Sequence, residues 1–402
     1  MLGNSMYTGG SSQRGKQFVP RTMAAPDRHN VGERLGISGL VNAHSRLSRL
    51  GGSIMAPHVL EAMAWASQYY FDMTELQAKV GARLAELTRN EAVYVTSGAA
   101  AGLVLATGAC IAGADPAKIA RLPRLCGELN NEVIVHRFQR NHYDNNIQTA
   151  GARFVEIGSH RTTHLWELEE AIGPRTAAIV YFTGPYEGPN LLPLDTILMV
   201  AKQRCVPVIV DAAAQIPPAK NLWAFTQMGA DLVVFSGGKS LGGPQNTGLI
   251  VGRKDLIEAC ALLGSPNYAI GRPMKVGKEA MIGLLVAVEH YLDRGETEQR
   301  ERCEAWTSSL VEELANLPGV HVRRRFPNAK VQPLPEVLVE FDEFRLGTTR
   351  DEIVQRLANG VPRIEVGPYD PTGMLINPDT LKEGDVEVIT DRLKSVLIGI
   401  SG

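Results

Sequence analysis

From Glu91 to Val251 the sequence alternates short apolar runs with segments whose apolar residues recur at helical spacing. The short runs are rich in valine and isoleucine, as buried strands are. Alternation of this kind is typical of a parallel sheet with helices on both faces. We therefore predict an α/β fold with a seven-stranded, mostly parallel sheet. The candidate strands are residues 92–96, 132–136, 153–157, 177–182, 207–210, 231–235 and 247–251.

The segments on either side of this region have different patterns. Residues 1–39 are rich in Gly, Ser and Arg over most of their length and show no sustained period, so we predict an N-terminal arm. Residues 40–277 are predicted to form the large domain. From about Lys278 two long helical patterns and several shorter β-like runs follow, which predict a smaller α/β C-terminal domain, residues 278–402.

A glycine-rich turn at residues 235–245 follows the sixth apolar run and presents Lys239. Its glycines allow close backbone approaches and positive φ angles. Lysine loses its charge readily when it is desolvated, so a lysine held in such a turn is a candidate Schiff-base nucleophile. Taken alone, the pattern is also that of a solvated loop lysine.

Asp211 ends another apolar run and is followed by small residues that include Ala213. This order places a carboxylate at the carboxyl edge of the sheet, with room beside Ala213 for a flat ring. A strand-terminal aspartate alone is also typical of a helix cap or a turn. Pyridoxal phosphate (PLP) needs an acid for its ring nitrogen and a lysine for its aldehyde, so Asp211 and Lys239 together predict a PLP site.

The first strand leads into Ser97, Gly98 and Ala99 at the start of a predicted helix. Small residues there expose the free amide groups and the positive end of the helix dipole, which makes a phosphate site. The same residues would also serve as an ordinary N-cap. In one sheet with Asp211 and Lys239, they supply an anchor for the cofactor phosphate.

Composition excludes other classes of protein. A net charge of -2 gives no bulk attraction to nucleic acid or to an anionic membrane. The five cysteines and the histidines lack metal or redox spacing, so we predict no metal site. No apolar run approaches the roughly 18 residues of a membrane span, and the polar N-terminal residues lack a signal-peptide core. We expect a cytoplasmic protein that binds neither nucleic acid nor membrane.

These motifs resemble the aspartate-aminotransferase-like fold of PLP enzymes, fold type I. More narrowly, they are similar to the branch of selenocysteine synthase, the seryl-tRNA selenium transferase, and most similar to D-glucosaminate-6-phosphate ammonia-lyase-like proteins. The resemblance runs from about Leu40 to the C-terminus. The stretches that carry it are residues 50–53, 97–100, 140–144, 151–156, 210–213, 235–239, 242–245 and 271–279.

The resemblance implies that Lys239 forms the Schiff base and that Asp211 faces the pyridine nitrogen. Tyr143 falls where related enzymes place an aromatic ring over the cofactor, although a structural tyrosine would fit the same pattern. The implied cofactor-binding residues are Ser97, Gly98, Ala99, Asp211, Ala213, Ser236 and Lys239.

For the substrate, Arg272 and Lys275 look like anion binders, with surface or interface charge as the alternative. Arg363 lies on a predicted strand of the small domain where relatives of the fold bind the substrate carboxylate. His142 stands where close relatives often have glycine, and it is either a base that contacts substrate or a bulkier neighbour.

The implied chemistry is abstraction of the α-proton of an amino acid or amino sugar acid by Lys239. The resemblance favours α,β-elimination with ammonia release. A racemase or epimerase that uses His142 or Tyr143 opposite Lys239, and β-replacement of the selenium transferase type, stay open. A non-catalytic scaffold is disfavoured because Lys239 and Asp211 occur together. We also expect at least a homodimer in which a neighbouring subunit completes the site.

Overall fold

A computed structural model describes residues 30–398 apart from Cys126 and Glu128, and it divides the chain into two units at Leu40. The described part of the first unit contains helix α1 (Asn30–Leu35), which the sequence pattern does not predict. Most of the predicted arm, residues 1–29, lies outside the described residues.

The second unit is built on two sheets. The seven-stranded sheet has the order β2-β8-β7-β6-β5-β3-β4, and the five-stranded sheet has the order β1-β11-β12-β10-β9. The strands are β1 (Leu40–Ala43), β2 (Ala92–Thr96), β3 (Glu132–His136), β4 (Arg153–Ile157), β5 (Thr176–Phe182), β6 (Val208–Asp211), β7 (Leu232–Ser236), β8 (Gly248–Gly252), β9 (Val320–Arg325), β10 (Glu336–Phe341), β11 (Arg363–Tyr369) and β12 (Gly373–Ile376).

Strand direction in the large sheet places the ends of several strands at one edge. The pairs β4–β3, β3–β5, β5–β6 and β6–β7 are parallel, whereas β8 is antiparallel to both β7 and β2. Strand β2 therefore runs in the same direction as β7, and the carboxyl ends of β2 to β7 share an edge. The predicted seven-stranded, mostly parallel sheet is confirmed.

The helices begin and end at local signals such as Asp72, whose carboxylate accepts hydrogen bonds from the amides of Thr74 and Glu75. After α1, the α-helices are α2 (Pro57–Ser67), α3 (Met73–Thr88), α4 (Ala99–Ala112), α5 (Pro116–Arg121), α6 (Asp144–Thr149), α7 (Leu165–Ala171), α8 (Leu194–Gln203), α9 (Asn221–Met228), α10 (Lys254–Leu263), α11 (Lys278–His290), α12 (Glu296–Leu314), α13 (Glu343–Leu346), α14 (Arg350–Ala358) and α15 (Asp385–Ile398). Short 3₁₀ turns are Ser48–Leu50, Arg137–Gln139, Gly184–Tyr186 and Pro378–Thr380.

A π-helical turn, Tyr291–Gly295, joins α11 to α12. The buried face of α11, including Leu284 and Val288, belongs to the same hydrophobic core as the inner face of α3. Leu310 and Leu314 of α12 belong instead to the core beneath the five-stranded sheet. The predicted domain boundary at residues 277 and 278 stays a prediction, and the packing of α11 favours a boundary nearer Tyr291. Across the described residues, none of the helices is long and apolar enough to cross a membrane.

A buried ion pair fixes the segment that leads from β1 toward the large sheet. Arg46 pairs with Asp379, and its guanidinium also donates to the backbone oxygen of Asp379 at 2.8 Å. Gln299 donates to the same carboxylate, and Tyr291 donates to Gln299 at 3.2 Å. Burial lowers the pKa of Arg46 to about 10, which still leaves it charged at neutral pH. The network therefore ties residues near Ser48 to α12 and to the second sheet.

Asp379→Asn is expected to lower the free energy of unfolding by about 3–5 kcal/mol, because it leaves the Arg46 charge buried and uncompensated. Thermal or denaturant unfolding measures the effect. The matched control is Asp351→Asn, which removes a carboxylate that is 84% exposed and should cost less than about 0.5 kcal/mol. Equal stability of the two variants would contradict the prediction.

Candidate active site

A cavity of about 490 Å³ opens at the carboxyl edge of the large sheet. Its lining combines a carboxylate, an amine, several hydroxyls and small residues. The lining residues are Ser48, Ser97, Gly98, Ala99, Ala100, Leu103, Tyr143, Asp211, Ala213, Ser236, Lys239, Gln245 and Asn246.

Asp211 is the last residue of β6, and its carboxylate is fixed at one oxygen. Oδ1 accepts a hydrogen bond from the amide of Ala213 at 2.9 Å, whereas Oδ2 has no hydrogen-bond partner within the described residues. The backbone oxygen accepts from the amide and hydroxyl of Thr183, at 3.1 and 2.8 Å. Burial raises the pKa of Asp211, and the Ala213 amide and Lys239 oppose that rise. The free oxygen is therefore available to a positively charged N–H group in the cavity.

Lys239 lies in the turn after β7, and the backbone of this turn is held on both sides. Inside the turn, the amide of Gly242 donates to the Lys239 oxygen at 2.9 Å. From outside, the Ser53 hydroxyl lies 3.1 Å from the Gly238 oxygen and 2.5 Å from the Lys239 oxygen. A side chain at position 238 would overlap the backbone of Gln245, so glycine is required there. These contacts therefore fix the backbone from which the Lys239 side chain extends into the cavity.

The charge of Lys239 is destabilised by its surroundings. Burial lowers the pKa of Lys239, Asp211 opposes this effect and Lys330 reinforces it. A lowered pKa increases the neutral fraction of the amine, which is the nucleophilic and basic form.

The start of α4 forms the third part of the site. Gly98 has φ 107°, a conformation that favours glycine, and it is the N-cap of this 14-residue helix. Among the described residues, no side chain caps α4, which leaves its first-turn amide groups available at the cavity. The hydroxyls of Ser97 and Ser236 line the same cavity. An anion such as a phosphate fits this cradle, and the residues present thus suit a phosphorylated pyridine aldehyde.

The structure brings together all the predicted cofactor-binding residues and Tyr143, whose side chain is 47% exposed. In the described chain, four other predicted residues do not line this cavity. His142 and Lys275 are exposed, and the Arg272 guanidinium lies 5.6 Å from the ring centre of Tyr268. Arg363 donates to Glu365 at 3.0 Å and to the Ala358 oxygen at 3.1 Å.

Sequence reasoning missed five lining residues, Ser48, Ala100, Leu103, Gln245 and Asn246, and it missed Lys330 near Lys239. A signal existed for Gln245, which ends the glycine-rich motif, and for Ser48, which precedes the motif at residues 50–53. Lys330 lies in a loop between two strands of the second sheet, where no pattern distinguishes it from a surface lysine.

Residues 47–304, which contain the whole lining of the cavity, match the sequence model described as L-seryl-tRNA selenium transferase. The chain is 34% identical to the 5'-C-glycyluridine monooxygenase-decarboxylase of a Streptomyces species, over 96% of this chain and 97% of that protein. It is 31% identical to the D-glucosaminate-6-phosphate ammonia lyase of Salmonella typhimurium, over 91% of this chain and 98% of that protein.

Comparison with solved structures gives similar results. A structure of D-glucosaminate-6-phosphate ammonia-lyase superimposes with a TM-score of 0.82 at 30% identity, covering 93% of this chain and 99% of the other. A serine palmitoyltransferase from S. paucimobilis with bound PLP gives a TM-score of 0.56 at 15% identity, covering 90% and 88% of the two chains. The second similarity supports the fold alone, and the predicted fold type I is confirmed.

Proposed function

This chain belongs to the L-seryl-tRNA selenium transferase family and is a PLP-dependent enzyme, and we propose that it catalyses α,β-elimination with release of ammonia. The proposed substrate is an amino acid or an amino sugar acid. The observation that carries the proposal is one cavity in which Lys239, Asp211 and the start of α4 converge. The relative named as an ammonia lyase, which matches this chain over nearly its full length, favours this reaction.

Bound PLP would draw electrons from the α-carbon of an amine substrate that is linked to it. The amides at the start of α4, with the hydroxyls of Ser97 and Ser236, bind the phosphate in this proposal. Asp211 Oδ2 holds a proton on the ring nitrogen. Ala213 and Tyr143, which both line the cavity, would hold the flat ring of the cofactor.

Lys239 has two roles in this proposal. Its amine would hold the cofactor aldehyde covalently, and the amine, once the substrate had replaced it there, would take the α-proton. Burial lowers its pKa, which keeps a larger fraction of the amine neutral at the moment when a base is needed. Loss of a leaving group from the β-carbon and hydrolysis of the released product give a 2-oxo acid and ammonia.

The relative named as a monooxygenase-decarboxylase supports a second candidate, oxidative decarboxylation of an α-amino acid, because its identity of 34% extends over 96% of this chain. That reaction consumes O₂ and releases CO₂, whereas elimination does neither. Racemisation or epimerisation, and β-replacement, would use the same first proton transfer. The roles of His142, Arg272, Lys275 and Arg363, a homo-oligomeric state and a cytoplasmic location remain predictions.

Incubation of PLP-loaded enzyme with amino acids and amino sugar acids, phosphorylated and unphosphorylated, tests the proposal. We expect equal amounts of ammonia and 2-oxo acid from at least one substrate, at the same rate with and without O₂. CO₂ release that requires O₂ would support the second candidate instead. Change of configuration at the α-carbon without ammonia would indicate a racemase or epimerase and would contradict elimination.

A further inference from the structure

The loop between β9 and β10 lies against the turn that follows Asp211. Gln332 Nε2 donates a hydrogen bond to the backbone oxygen of Ala214 at 2.8 Å. Gln215, from that turn, donates through Nε2 to the backbone oxygen of Lys330 at 3.3 Å. These contacts hold the backbone of Lys330 close to the end of β6, which carries Asp211, although the loop of Lys330 connects two strands of the second sheet.

The conformation of this loop does not depend on the Lys330 side chain. Asn328 Oδ1 accepts hydrogen bonds from the amides of Lys330 and Gln332, each at 3.0 Å. Asn328 Nδ2 donates to Gln332 Oε1 at 2.9 Å, and both side chains are buried. The loop therefore fixes where the lysine begins, and a substitution of Lys330 should leave its backbone in place.

The ammonium of Lys330 has no carboxylate within ion-pair distance in the part of the chain that the structure describes. Burial lowers the pKa of Lys330, and Glu336 opposes this effect. The Glu336 carboxylate is itself paired with Arg325 at 2.8 Å. A partly buried cation without a partner is unfavourable, so this position is explained most simply by an anion that arrives from outside the chain.

The hydrogen bond from Gln215, four residues after Asp211, places the backbone of Lys330 beside the candidate active site, and two pKa shifts agree with this position. Lys330 lowers the pKa of Lys239, the lysine of the cavity. It also lowers the pKa of His44, although burial and Arg49 have larger effects there. His44 lies four residues before Ser48, which lines the cavity. The positive charge of Lys330 therefore acts on the lysine of the cavity, although Lys330 is not itself one of the residues that line the cavity.

Two arginines near this region, Arg49 and Arg363, already have carboxylate partners. Arg49 donates to Glu365 Oε2 at 3.1 Å, and Arg363 donates to Oε1 of the same carboxylate at 3.0 Å. Glu365 pairs with both guanidinium groups, so each arginine already has an anionic partner, although the three side chains together keep a net positive charge. Lys330 lacks such a partner among the described residues, and it is therefore the better candidate for an anion.

We infer that Lys330 binds an anionic group of the substrate, a carboxylate or a phosphate, and so helps to determine which substrates the enzyme accepts. The inference rests on the proposed function, because it concerns the substrate of the same site. Lysine binds a carboxylate or a phosphate equally well as a compact point charge, so the structure indicates only that the group is an anion. The test below distinguishes a phosphate from a carboxylate.

The test uses calorimetry to measure the affinity of the PLP-loaded enzyme for inorganic phosphate and for acetate. Lys330→Gln keeps a chain of similar length and removes the charge, and Lys330→Arg keeps the charge. We expect Lys330→Gln to weaken binding of one ion by about 10- to 100-fold, the effect of losing one hydrogen bond to a charged group. Lys330→Arg should restore most of the affinity. Loss for phosphate indicates a phosphorylated substrate, and loss for acetate indicates recognition of a carboxylate.

Lys254→Gln is the matched control, because that lysine is 70% exposed and lies on the helix after β8. The visible absorption of bound PLP and the melting temperature show whether each variant is folded and loaded. Unchanged affinity for both ions in Lys330→Gln, or no binding of either ion to the unaltered enzyme, would overturn the inference. Since ion binding is measured without turnover, this result is independent of whether the enzyme releases ammonia.

Discussion

Lys239→Ala is expected to fold, to lose covalently attached PLP and to lower kcat by at least about 10³-fold. The turn around residue 239 is held by its backbone and by the Ser53 hydroxyl, so removing the side chain leaves this frame intact. The lost amine is both the attachment point of the cofactor and the proposed base for the α-proton. No other amine lines the described cavity.

Borohydride reduction of the loaded enzyme, followed by peptide mapping, measures the attachment site directly. The label should lie on Lys239 in the unaltered enzyme and in the control Lys254→Ala, and it should be missing in Lys239→Ala. A label on another lysine of the unaltered enzyme would falsify the assignment.

Asp211→Asn is expected to retain PLP and to lower kcat by about 10²- to 10⁴-fold, the range for loss of a positioned acid or base. The asparagine oxygen can keep the hydrogen bond from the Ala213 amide, so the turn should stay in place. The amide nitrogen then replaces Oδ2, and it faces the ring nitrogen as a donor. A donor at this position favours the unprotonated ring, which draws electrons from the α-carbon much less strongly.

Steady-state kinetics and PLP titration separate the two effects in Asp211→Asn. We expect the loss in kcat, with a smaller change in PLP affinity, because the phosphate contacts at α4 are untouched. Asp351→Asn, an exposed aspartate, controls for the substitution itself. Near-normal kcat in Asp211→Asn would show that the carboxylate does not act on the ring nitrogen.

Much of the large sheet and of the candidate active site can be predicted from local sequence. The strands of the large sheet were predicted within one or two residues because their buried valine and isoleucine runs are bounded by glycine, aspartate or serine. The carboxyl ends of these strands then place Ser97, Asp211 and Ser236 at one edge by topology alone. Resemblance to a known family added Tyr143, which no periodicity would have selected.

Other features depend on contacts between distant segments. Apolar periodicity is the same in either strand direction, so the antiparallel placement of β8 was not predictable from it. The pairing of Arg363 with Glu365, which reduces its availability to a substrate, requires knowledge of side-chain geometry. The position of Lys330 near Lys239 depends on a loop whose hydrogen bonds connect the second sheet to the turn after Asp211. The sequence predicts two separate helices after Lys278, whereas in the structure the π turn joins α11 and α12 without an intervening loop.

The Ser53 hydroxyl that braces the lysine turn also has a consequence for folding kinetics. Its hydrogen bonds join residues 185 and 186 positions apart in the chain. Closing so long a loop is entropically costly, and contacts of large sequence separation form slowly. The helices and the neighbouring parallel strands can form before this contact does. We therefore expect a refolding chain to gain its secondary structure first and its capacity to hold PLP in a later, slower phase.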